Sequence, residues 1–130
     1  MTLVAVLLGG LIGTGLRLTL DAVLPHTDSG FPWSTLLINV VGSFALGLLV
    51  ARVWPTASSW VRAGLGTGVL GSFTTFSALI VSLLTLTQAG TPLLALVYLL
   101  VSLVAGFAAA LLGVRLGPRR GTAPALQADE

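Results

Sequence analysis

Asn39, Thr74, Thr75, Ser77, Tyr98 and Ser102 carry hydroxyl or carboxamide groups inside stretches otherwise built from Leu, Val, Ala and Gly. A polar group among lipid tails is costly unless paired, so such residues face another helix or a wet cavity and often mark a transport path. Their spacing puts them in register. Thr35, Asn39, Ser43 and Gly47 recur every fourth residue and share one slowly drifting helix face, and Tyr98, Ser102 and Gly106 do the same.

Helix packing is the competing account. Small residues let backbones approach, and Gly9 with Gly13, Ser43 with Gly47, and Ser102 with Gly106 fit the small-xxx-small pattern. That explains the glycines well and Asn39 poorly, because a mid-span carboxamide brings two donor hydrogens and an acceptor that all need partners. Asn39 is therefore read as a pathway residue.

Gly64, Gly66, Gly68 and Gly71 precede the segment "SFTTFSAL". Each interior glycine costs about 1 kcal/mol of helix stability relative to alanine, so four of them invite a break. The hydroxyls of Thr74, Thr75 and Ser77 would satisfy an unwound backbone, whose carbonyl oxygens are able to hold a cation. A bent, closely packed helix is the alternative. Phe73 and Phe76 flank the threonines, and the positive edge of a phenyl ring favours an anion without offering a proton. Buried phenylalanine is usually packing, and chemistry alone does not choose between the two.

Arg17 and Asp21 are spaced i, i+4 and suit a pair near a membrane face, while an arginine in a span also draws anions. His26, beside Asp28, is expected to be solvated. Cysteine is absent, which excludes disulfides and thiolate chemistry. There is no metal-ligand cluster, no Ser, His, Asp set, no phosphate-cradling loop and no basic aromatic surface for nucleic acid, so no enzyme is expected.

Composition dictates the scaffold that carries these side chains. Of 130 residues, 55% are hydrophobic and 8% charged, with a mean hydropathy of +1.05. Four apolar stretches, at roughly 2–24, 33–54, 61–87 and 92–115, each supply the about 20 residues that a helical span needs. Long unbroken apolar runs do not fit the alternation of barrel strands. A cleavable signal peptide is disfavoured, since the start is not basic and Arg17 and Asp21 interrupt the run. The expected fold is an all-α membrane protein: a four-helix transmembrane domain over 1–116, its third helix broken at mid-membrane, and a flexible cytoplasmic tail over 117–130 with no soluble domain beyond. Arg52, Arg62, Arg115, Arg119 and Arg120 gather on the side of the termini, and the opposite loops lack Lys and Arg. The positive-inside rule then makes both termini cytoplasmic and predicts one fixed orientation.

The residues resemble the small fluoride channels of the Fluc or CrcB family over nearly the whole chain. "GGLIGTGLR", "TLLINVVGSFALG" and "GVLGSFTTFS" carry the resemblance. It implies a passive fluoride-selective channel in the inner (plasma) membrane that lowers cytoplasmic fluoride, built as an antiparallel dimer of four-helix subunits. It also implies a structural sodium ion at the dimer interface, on backbone carbonyls that map to Gly71 and Thr74. The implied fluoride pathway maps to Asn39, Phe76, Ser77, Tyr98 and Ser102, with Arg17 as the vestibule arginine. The residue chemistry agrees, because hydroxyls, an amide and ring edges replace the water of a small anion without a fixed cation that would trap it.

Two features depart from the family. Its third helix usually reads TTFSTF, whereas here Ala78 and Leu79 replace the hydroxyl and the second ring. The arginine bias also disfavours insertion in both orientations. Together they suggest an oppositely oriented, related four-helix partner, with a homodimer as the alternative. Two other functions compete. A proton-coupled small four-helix exporter would want an intramembrane carboxylate, for which only Asp21 is available. A non-conducting membrane scaffold would leave the polar, glycine-rich third span unexplained.

Overall fold

The computed structural model describes residues 1–24 and 30–117, and these are helical with no strand among them. His26, Asp28, Arg119, Arg120 and the expected tail beyond Gly117 lie outside the described residues. Helices α1 (Thr2–Val23) and α2 (Trp33–Arg52) are continuous. The third apolar stretch comprises α3 (Ser59–Arg62), a π-helical stretch (Ala63–Leu70), α4 (Gly71–Phe73) and α5 (Phe76–Gln88). Helix α6 (Pro92–Arg115) completes the bundle, with proline in its first turn, where a missing N–H costs nothing.

Thr2–Val23, Trp33–Arg52, Ser59–Gln88 and Pro92–Arg115 are each long and apolar enough to cross a membrane. Their outer faces keep large apolar side chains exposed, among them Leu11, Leu93 and Phe107. Such a surface suits hydrocarbon, not water. A tight turn joins α5 to α6, and Gly90 takes the left-handed conformation (φ 78°) that ends a helix without a Cβ penalty.

Packing follows the small residues. Helix α2 lies along α6, and α1 lies along the π-helical stretch and α4. A Cβ at Gly13 would fall on the Val69 carbonyl oxygen, and one at Gly47 on the Ala110 carbonyl oxygen, so both crossings bring backbone against backbone. Leu36, Leu79, Leu86, Ala95 and Tyr98 form a buried cluster that ties α5 to α2 and α6.

The π-helical stretch is where the glycines concentrate. Gly64, Gly66 and Gly68 lie within its eight residues, and the Gly71 N–H reaches back five residues to the Gly66 carbonyl. Such i→i+5 turns are uncommon and occur frequently at functional sites.

Candidate functional site

Two threonines separate α4 from α5. Thr74 directs both its backbone N–H (2.9 Å) and its hydroxyl (2.8 Å) to the Leu70 carbonyl, closing the last helical turn. The chain then leaves the helix, with Thr74 at φ −86°, ψ 134° and Thr75 at φ −140°, ψ 128°. Extended backbone is natural for a β-branched residue. Thr75 next starts α5 as its N-cap, accepting a hydrogen bond from the Ala78 N–H at 3.3 Å.

Two long-range contacts hold this segment. Arg17 of α1 donates from Nη1 to the Phe73 carbonyl at 3.2 Å, pairing an oxygen at the end of α4 with a guanidinium. From α2, Asn39 accepts from the Thr75 N–H at Oδ1 (3.1 Å) and donates from Nδ2 to the Thr75 carbonyl (3.4 Å). Its carboxamide thus meets Thr75 as a neighbouring β-strand would. Nδ2 carries a second hydrogen beyond that pairing. The Thr75 and Ser77 hydroxyls lie 2.5 Å apart, which links the break to the start of α5.

Helix α6 supplies donors of a different kind. Tyr98 is fully buried, its ring set edge-on to Phe31 at 5.2 Å between centroids. The Tyr98 hydroxyl and the Ser102 hydroxyl are both enclosed, and neither has a hydrogen-bond partner among the described residues. Ser102 and Ser43 line a groove of about 280 Å³ between α2 and α6, which Leu103, Gly106, Phe107 and Ala110 complete. An enclosed hydroxyl without an acceptor incurs its full desolvation cost.

The two phenylalanines that chemistry could not separate sit in different environments. Phe73 is buried, 7% exposed, against α2, whereas Phe76 is 68% exposed on the outer face. Leu79, where the family motif has its second ring, is buried in the cluster with Tyr98. Gly71 is exposed, and the nearest atom to a Cβ built there is the Gly66 carbonyl oxygen at 3.6 Å, an ordinary contact.

Arg17, Asn39, Thr74 and Ser77 therefore meet along residues 70–77, while Tyr98 and Ser102 stand on α6 without a hydrogen bond to that segment. Sequence reasoning missed Gly42 and Phe31. Gly42 lies three residues after Asn39, a spacing that puts both on one face of α2 and could have flagged it. Phe31 lies just before α2, where no periodicity operates. Chemically, the arrangement offers hydroxyl and amide donors, backbone oxygens and one guanidinium. Among the described residues no group of three His, Cys, Asp or Glu side chains could hold a metal.

Comparison with known proteins identifies the family. The family model described as CrcB-like protein, Camphor Resistance (CrcB), matches residues 4–114. A Thermus thermophilus protein named fluoride-specific ion channel FluC is 46% identical over 114 residues, covering 86% of this chain and 91% of the relative. Proteins of the same name from Chelativorans sp. (43% over 118 residues, covering 88% and 94%) and Xanthomonas euvesicatoria (41% over 114 residues, covering 84% of each) are similar as well. A match that takes in all four apolar helices, with relatives above 40% identity across most of both chains, means that the chain belongs to the CrcB family.

Proposed function

We propose that this chain is a subunit of a passive fluoride channel that lets fluoride leave the cell and so lowers its cytoplasmic level. The observation that carries the reading is the pair of enclosed, unpartnered hydroxyls at Tyr98 and Ser102 in a membrane-length helix. Fluoride is a small anion that must exchange its water for donors, and two hydroxyls without acceptors among the described residues meet that need. The names of the relatives support the same ion.

In this reading Asn39 offers the second Nδ2 hydrogen, Ser77 and Tyr98 and Ser102 offer hydroxyls, and Phe76 offers a ring edge. Arg17 raises the local concentration of anions at the mouth of the path. The exposure of Gly71, close to the extended backbone of residues 74–75, supports a second subunit there, because open backbone polar groups would otherwise meet lipid. The arrangement is an antiparallel dimer with both termini of this chain cytoplasmic. Its partner is a related four-helix subunit that supplies the ring replaced by Leu79.

A structural sodium ion fits the residues present. Gly71 brings no side chain to the exposed face, Thr74 turns its backbone out of the helix, and neutral carbonyl oxygens are hard ligands suited to an alkali cation. Gly71 and Thr74 would hold it through their carbonyls. When bound, it would supply positive charge that lowers the cost of an anion in a low-dielectric slot.

Liposomes loaded with fluoride and read with a fluoride electrode test the function. Efflux that needs no proton gradient is the expected result. Efflux that collapses without a proton gradient favours a coupled exporter, and no efflux from any subunit combination favours a scaffold. Full activity from the lone chain would establish a homodimer in place of the related partner.

A further inference from the structure

Gly42 sits where α2 passes behind Thr74 of the extended pair. A Cβ built on it would collide with the Thr74 Cγ2 methyl and lie 3.1 Å from Cδ1 of the buried Phe73 ring. No ordinary packing tolerates the first of these contacts. One turn earlier on the same face, Asn39 holds both backbone groups of Thr75. The extended segment is thus located against α2 at two adjacent points, by hydrogen bonds at Thr75 and by steric fit at Thr74.

We propose that Gly42 is a positioning residue: its bare Cα is the seat for the Thr74 methyl, and that fit sets where the backbone of residues 73–75 runs. This deepens the fluoride-channel reading and rests on it for the transport measurement alone. Gly42 brings no side-chain donor or acceptor of its own. It acts by fixing the carbonyls and N–H groups that α2 would otherwise push outward. Thr74 has two separable parts. Its hydroxyl closes the turn on Leu70 at 2.8 Å, and only its methyl meets Gly42. Serine keeps the first part and removes the second.

That separation defines the experiment. Wild type, Gly42→Ala, Thr74→Ser and the double variant Gly42→Ala with Thr74→Ser are compared for fluoride efflux from liposomes and for hydrogen exchange across residues 71–79. Gly42→Ala is expected to slow efflux about tenfold or more, as misplacement of a working backbone does, and to speed exchange in that segment. The double variant is expected to recover most of both. Wild-type efflux and exchange in Gly42→Ala would overturn the proposal, and so would a double variant as impaired as the single one. Should Gly42→Ala not fold, recovery of folded protein on adding Thr74→Ser is the same rescue, and its absence counts against the seat. If wild type moves no fluoride either alone or together with the related subunit, the channel reading fails, and the exchange pattern alone decides the role of Gly42.

Discussion

The carboxamide of Asn39 pairs with both backbone polar groups of Thr75, accepting from its N–H at 3.1 Å and donating to its carbonyl at 3.4 Å. One side chain thereby does for an interrupted helix what a second strand does for an isolated one. Without it, two backbone groups lose their partners in a region where water is scarce.

Asn39→Asp separates the two halves of that pairing, since a carboxylate still accepts from the Thr75 N–H but repels the Thr75 carbonyl. Leaving a part-buried carbonyl unpaired costs about 1–3 kcal/mol. Thermal unfolding should move down accordingly, and fluoride efflux should fall about tenfold or more. Asn39→Leu should be worse on both counts.

Arg17 presents a graded test. Arg17→Lys can still donate to the Phe73 carbonyl, though without the planar fork, whereas Arg17→Gln loses the charge. Efflux is expected to decrease from wild type to lysine to glutamine. The glutamine variant should also lose much of the sensitivity of efflux to ionic strength, because long-range attraction of the anion needs the charge.

Tyr98→Phe removes an enclosed hydroxyl that has no hydrogen-bond partner among the described residues. Stability should hold or rise by about 1 kcal/mol, since an unsatisfied polar atom disappears and the ring keeps its packing on Phe31. Efflux should nevertheless fall about tenfold. A stabilised variant with undiminished efflux would remove Tyr98 from the ion path.

Gly13 and Gly15 make a matched pair on α1. A methyl at Gly13 would strike the Val69 carbonyl, whereas nothing lies within 4 Å of a Cβ at Gly15. Gly13→Ala should cost about 1–3 kcal/mol or more through overpacking. Gly15→Ala should be neutral or stabilising by up to about 1 kcal/mol, as helix propensity alone dictates. Melting temperatures in detergent or lipid read both.

The spans were legible because lipid leaves a chain so few options. Hydropathy alone placed the third at 61–87, against Ser59–Gln88 in the structure. Asn39 stood out from sequence because a carboxamide at mid-span has unmet needs, yet its partner Thr75 lies 36 residues away and offers only backbone. Arg17 shows the same limit. Its i+4 spacing points to Asp21, but the long-range acceptor at 3.2 Å, the Phe73 carbonyl, could not be read from sequence, because side-chain identity does not advertise a carbonyl. Phe73 and Phe76 were inseparable because the extended residues between them reset the helical phase, sending one ring inward and the other outward.

The wide coil at Ala63–Leu70 carries a consequence for how such a chain tolerates length changes. An i→i+5 turn absorbs a surplus residue without rotating the downstream helix, whereas the same surplus in a regular coil swings every later side chain by about 100°. Loss of a single residue there is therefore accommodated by tightening to ordinary pitch, with Phe73 still facing Arg17 and Thr74 still facing Gly42. The same loss between Phe76 and Ala78 has no slack to draw on and would turn Leu79 away from Tyr98.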